Sequence, residues 1–160
     1  MPGGSDSLMF NGYLVLGEMN KKNVLILCGG NSCRSQMAEG FFKFYGCKVA
    51  NIYSAGVEAK GIHPLAIETM AEEGIDLRDH TCNHIDEYRN VSFDYVITVC
   101  DVDDRCPNFP AETKQFHYSF PDPLTANATA TDEELAEAFR DVRHYIKTFS
   151  QIFVEEHLRC

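Results

Sequence analysis

Residues 23–27, Asn-Val-Leu-Ile-Leu, are a short continuous apolar run that ends at Cys28. A run of that length without polar alternation predicts a strand buried on both faces. A glycine-containing turn follows, and residues 35–45 then place Met37, Phe41 and Phe44 at helical spacing. Residues 49–54 predict a second strand, closed by Gly56. Residues 64–73 predict a helix with Pro64 at its start and Gly74 as its stop. Residues 93–99 predict a third strand ending at Cys100, and 115–117 a brief fourth. Thr131-Asp132-Glu133-Glu134 is a capping-box signature. It opens a long helix whose Leu135, Phe139, Val142, Ile146, Phe149 and Phe153 form one apolar stripe. Strands alternating with helices predict an α/β fold with a parallel sheet covered on both faces. In such sheets ligands bind beyond the carboxyl ends of the strands, where this reading places both Cys28 and Cys100.

The chain has 160 residues, a length that suits one domain. Residues 1–20 read as a flexible extension, with Pro2-Gly3-Gly4-Ser5 at its start, and 21–160 as a single folded unit. The formal charge is −10, and most of it falls in the second half: residues 1–80 carry 7 basic and 9 acidic groups, whereas 81–160 carry 7 and 15. That surface disfavours nucleic acid and anionic membranes as partners, and no apolar run approaches a membrane span. An anionic substrate must therefore be captured by local geometry. Seven cysteines without a signal peptide indicate a reducing, cytoplasmic setting, in which thiols are catalytic, metal-binding or buried.

The segment Cys28-Gly29-Gly30-Asn31-Ser32-Cys33-Arg34-Ser35 carries the clearest chemistry. Between a strand and a helix, its backbone can curl so that successive amide N–H groups converge on one tetrahedral oxyanion. The helix adds its positive dipole end, and Arg34 a fork of donors for two oxygens. The same donors stabilise a thiolate, which makes Cys28 the candidate nucleophile. Ser35 is placed to hydrogen-bond that sulfur and Asn31 to brace the loop, while Cys33 is expected to point away from the anion. The bland alternative is a buried cysteine and a surface arginine at chance spacing. Asp122, held between Pro121 and Pro123, suits a general acid, although alone it reads equally as a polar turn. Cys100 and Cys106 lie six positions apart; they are either a pair that a mobile loop could join or two unrelated thiols. His80-Thr81-Cys82-Asn83-His84 offers alternating potential ligands, but not at the spacing of a compact zinc site.

Several motifs in order make the chain resemble the arsenate reductases built on the low-molecular-weight tyrosine phosphatase fold. They are the segment from Cys28 through Ser35-Gln36-Met37-Ala38-Glu39, Ser54-Ala55-Gly56, His63-Pro64-Leu65-Ala66, residues 93–100, Cys106-Pro107 and Pro121-Asp122-Pro123. The resemblance implies three layers, with a four-stranded parallel sheet flanked by helices. It implies that the loop from Gly29 to Ser35 holds arsenate while Cys28 attacks arsenic. Asp122 would protonate the departing oxygen, and Cys100 and Cys106 would pass the oxidation outward to thioredoxin. No bound cofactor is implied, except that some members hold potassium on residues that map to Asn31, Glu39, Ser54, Thr81 and Asn83. Asn83 stands where those members have an aspartate. The protein is expected to be a monomer.

Two other functions share these residues. A low-molecular-weight phosphatase needs Cys28, Arg34 and Asp122 but no further thiol. It usually carries an aromatic pair after Asp-Pro, where this chain has Leu124-Thr125, and an apolar residue at Ser32. A thiol redox sensor would form a reversible disulfide without turnover.

Overall fold

The computed structural model describes residues 21–46, 48–100, 107–125 and 129–158. The expected extension at 1–20, Cys47, Cys106 and Cys160 lie outside them.

Strands β1 (Lys22–Cys28), β2 (Ala50–Gly56), β3 (Tyr95–Thr98) and β4 (Lys114–His117) form one parallel sheet in the order β2-β1-β3-β4. β1 is central and pairs on both sides, with Cys28 opposite Gly56 and Leu27 opposite Thr98. Its apolar residues divide by the two-residue period of a strand. Val24, Ile26 and Cys28 enter one core with the helices, whereas Leu25 and Leu27 enter a second core on the other face.

Three α-helices pack on the first face: α1 (Arg34–Gly46), α2 (Pro64–Ala71) and α3 (Asp132–Phe153). The capping box at Thr131 and Glu134 opens α3, and Phe139, Val142, Ile146 and Phe153 of its stripe are buried. Among the described residues the opposite layer is thinner. It consists of the short 3-10 helix Ile85–Tyr88, Phe93 and Phe109 over Leu25, Leu27 and Val96.

The expected inward stripe of α1 needs one correction: Phe44 is 62% exposed, whereas Phe42 is fully buried. The buried arc of α1 is turned toward Ala38 and Phe42, because α1 packs on α3 as well as on the sheet. Phe42 meets the Phe153 ring at 5.4 Å between centroids, which leaves Phe44 on the rim. Gly40 permits the close approach of α2 and of Leu77 beyond it, since a Cβ there would lie 3.0 Å from side-chain atoms of Leu77 and Met70.

Arg140 and Arg143 of α3 bind Glu72, which caps α2, and Lys147 binds Glu73. No helix among the described residues is long and apolar enough to cross a membrane.

Candidate active site

β1 ends at Cys28 and α1 begins at Arg34, so five residues must turn the chain above the sheet. The segment after β2 sets how they turn. The amides of Val57, Glu58, Lys60 and His63 donate to the carbonyls of Cys28, Gly29, Gly30 and Ser32 at 2.9–3.2 Å. The Asn31 carbonyl accepts from Gln36 Nε2 at 3.2 Å. With the carbonyls drawn outward, the N–H on the far side of each planar peptide faces inward. The amides of Gly30 and Asn31 accordingly reach the Cys28 sulfur.

The backbone reversal does not come from the glycines. Among the described residues Asn31 is the one non-glycine with positive φ, at 52°, and neither Gly29 nor Gly30 is left-handed. Asparagine tolerates this region because its side chain bonds locally. Asn31 is wholly buried and fully engaged. Its Nδ2 donates to Ser35 Oγ and Ser54 Oγ, each at 2.9 Å. Its Oδ1 accepts from Gln36 Nε2 at 3.1 Å and from the Asn83 amide at 2.8 Å. Asn31 braces the loop as expected. Ser35 Oγ accepts from Asn31 Nδ2, and the Cys28 sulfur takes a side-chain donor from elsewhere.

That donor is Cys100. β3 runs parallel to β1, and its extension carries Cys100 to the same edge of the sheet. Its thiol donates to Cys28 Sγ at 3.1 Å, and the Gly29 amide donates to Cys100 Sγ at 3.2 Å. Both cysteines are almost completely buried. The Cys28 thiol is lowered to about 6, first by the Cys100 hydrogen bond, against the opposing effect of burial, and then by the Arg34 charge and the two amides. Cys100 is pushed up, because its proton is held by the neighbouring sulfur and because it is buried. Burial also lifts Cys33, to about 11.

Arg34 spans the gap to the remote loop. Its Nη1 donates to the Phe120 carbonyl at 2.9 Å, and its Nη2 lies 3.6 Å from Asp122 Oδ2. Cys28, Cys33, Arg34, Lys60, Cys100 and Asp122 line one cleft of about 240 Å³. Cys33 borders this cleft and is itself buried in the helix-side core. A larger cleft of about 700 Å³, between Tyr88 and Phe109, contains none of the candidate residues.

Asn31, Glu39, Ser54, Thr81 and Asn83 do gather behind the loop, but as donors already committed. Ser54 Oγ donates to Glu39 Oε1 at 2.5 Å, and Thr81 Oγ1 donates to Asn83 Oδ1 at 2.7 Å. Asn83 Nδ2 donates to Glu87 at 2.8 Å. Glu39 supplies the set's one negative charge, and Lys43 Nζ stands 2.6 Å from its Oε2. A bare monovalent cation does not fit this arrangement. Among the described residues no three His, Cys, Asp or Glu side chains converge as metal ligands would. His80 faces Gln36 Oε1 at 3.1 Å, and Cys82 faces the carbonyls of Gly30 and Asn31.

Two functional positions carry more than their sequence motifs suggested. Gln36 is wholly buried and ties the Asn31 carbonyl and side chain to the Thr81 carbonyl. Its signal was a polar residue on an otherwise buried helical turn. Gly56 is needed where β2 meets the loop, because a Cβ there would lie 2.7 Å from the Asn31 nitrogen and from the Gly29 oxygen.

The family model for low molecular weight phosphotyrosine protein phosphatases matches residues 23–158. A protein of Shouchella clausii named arsenate reductase is 46% identical over 140 residues, covering 86% of this chain and 98% of its own. The solved structure of an arsenate reductase in a phosphate-binding state superposes with a TM-score of 0.68 at 33% identity, over 84% of this chain and 98% of that one. A thioredoxin-dependent arsenate reductase of Corynebacterium glutamicum aligns with a TM-score of 0.59 at 26% identity, over 82% of this chain and 63% of that one. With the anion loop, the paired thiols and these matches in agreement, the chain belongs to the low molecular weight phosphotyrosine protein phosphatase family, among its arsenate reductases.

Proposed function

We propose that the protein reduces arsenate to arsenite through Cys28, Cys100 and Cys106, with thioredoxin as the reductant. The observation that carries this reading is the second thiol, 3.1 Å from the activated one. A phosphatase has no use for it.

Arsenate enters the cleft with its oxygens on the loop amides and the Arg34 fork. The Cys28 thiolate forms a sulfur–arsenic bond, and one arsenic–oxygen bond breaks. That oxygen leaves as water after taking a proton from Asp122. Cys28 no longer bears charge, so the hydrogen bond that held the Cys100 proton is gone. The Arg34 charge and the Gly29 amide now favour the Cys100 thiolate. The Cys100 proton passes to an arsenic oxygen. Cys100 attacks the Cys28 sulfur, the sulfur–sulfur bond forms, and the pair from the broken sulfur–arsenic bond stays on arsenic. Arsenic(V) thereby becomes arsenic(III), while two thiols become one disulfide. Cys106 then attacks Cys100 and releases Cys28, and the thioredoxin dithiol reduces the Cys100–Cys106 bond. Export is required because Cys28 is 4% exposed and a protein reductant cannot reach it.

Steady-state assay with thioredoxin, thioredoxin reductase and NADPH tests the reading. Arsenate-dependent NADPH consumption is expected, and Cys28→Ser should abolish it. Cys106→Ser should allow one turnover and trap a Cys28–Cys100 disulfide, seen by peptide mass mapping. Aryl-phosphate hydrolysis alone would make the protein a phosphatase, and neither activity would make it a thiol sensor. Native-rate turnover by Cys106→Ser would remove that residue from the relay.

A further inference from the structure

Glu39 lies behind the anion loop with its side chain 10% exposed. A carboxylate so placed requires a counter-charge, since burial disfavours the ion. Two cationic groups come within ion-pair distance. His80 Nδ1 is 3.6 Å from Oε1, and Lys43 Nζ is 2.6 Å from Oε2. The His80 side chain is buried, and its Nδ1 is closer to Gln36 Oε1, at 3.1 Å, than to Glu39. The permanent charge is therefore that of Lys43, one helical turn beyond Glu39 in the favourable Glu-to-Lys direction.

From Glu39 the contacts lead directly to the loop. Ser54 Oγ donates to Glu39 at 2.5 Å and accepts from Asn31 Nδ2 at 2.9 Å. Asn31 holds the left-handed turn, and its amide faces the Cys28 sulfur. Ser54 has one hydroxyl proton, so an ionised Glu39 obliges it to donate to Glu39 and accept from Asn31. The direction of every bond in the chain thus follows from the charge on Glu39.

We propose that Lys43 is the resident cation of this site: its ammonium compensates Glu39, makes the protein independent of potassium, and positions Asn31 for oxyanion binding through Glu39 and Ser54. The proposal rests on the loop as an oxyanion site and not on the thiol relay. Lys43 is a positioning residue, as it touches neither Cys28 nor the cleft.

The test is calorimetric binding of inorganic phosphate to the reduced protein, in KCl and in choline chloride at equal ionic strength, with thermal midpoints in both salts. The unmodified protein should show the same affinity and midpoint in the two salts. Lys43→Met should bind phosphate about tenfold more weakly in choline, the low end of what loss of an orienting partner costs at an ion site. KCl should restore part of that loss, because Glu39 is then free to take a metal cation. Lys43→Arg should restore binding without potassium, and Glu39→Gln combined with Lys43→Met should lose the potassium response. A potassium-specific gain by the unmodified protein would overturn the proposal, and so would native affinity in Lys43→Met. Should Lys43→Met not fold, the salt comparison on the unmodified protein and on Lys43→Arg still decides. Absence of phosphate binding by the unmodified protein would instead remove the reading of the loop itself.

Discussion

Replacing Cys100 by alanine isolates the largest single contribution to the activation of Cys28. In the native structure the Cys100 thiol donates to the Cys28 sulfur at 3.1 Å, and Cys28 is lowered to about 6. A hydrogen bond to a charged group contributes about 1.5–3 kcal/mol, and a thiol is a weak donor, which points to the lower end. At 1.36 kcal/mol per tenfold change in proton affinity, losing the donor should bring Cys28 to about 7. At neutral pH the thiolate population would then fall from about nine-tenths to about half. The assay is thiolate absorbance against pH, with Cys28→Ser as the blank for the remaining cysteines. Cys100→Ser keeps a donor at the same place, so its titration should stay close to native. An unchanged titration in Cys100→Ala would refute the reasoning and assign the activation to Arg34 and the amides alone. Equal rises in the alanine and serine variants would refute it too, since they would make burial or packing the cause.

Gly56→Ala should destabilise the protein by about 1–3 kcal/mol in denaturant titration, because the added carbon meets loop backbone that cannot yield cheaply. It should also weaken phosphate binding. Phe42→Ala should cost about 3–5 kcal/mol, whereas Phe44→Ala should change stability by less than about 0.5 kcal/mol, as denaturation midpoints will show. Hydrogen bonds from Arg140 and Arg143 pull the Glu72 carboxyl from its ordinary 4.5 down to about 2. A folded-state value below the unfolded one gives stability that is complete above about 4.5 and is lost as pH falls toward about 2. Glu72→Gln should flatten that acid limb of the thermal midpoint, and salt should shrink the native slope because the pair is exposed.

The order of strands and helices was legible because each element announces itself locally. The apolar run 23–27, the proline and glycine around 64–74 and the capping box at Thr131 act through neighbouring residues, and the structure places elements at all of them. The pairing of Cys28, five residues and Arg34 was legible for the same reason, as a strand, a turn and a helix must bring them together. Burial on α1 was not, because Phe42 and Phe44 have equal claim until Phe153 of α3, more than a hundred residues later, chooses one.

What the amino-acid order alone determined is therefore the candidate nucleophile, its loop and the edge of the sheet on which they stand. Tertiary structure decided what surrounds them. Cys100 meets Cys28 because two parallel strands end level, Asn31 rather than a glycine makes the turn because Ser54, Gln36 and Asn83 hold its side chain, and Lys43 finds Glu39 already committed to Ser54. Apart from Asn31–Gln36 and Glu39–Lys43, these are contacts between residues far apart in the chain, and their bonds are directional. A local pattern fixes which groups a segment carries, but only the packed fold fixes which donor faces which acceptor, and that choice sets the charge on the Cys28 sulfur.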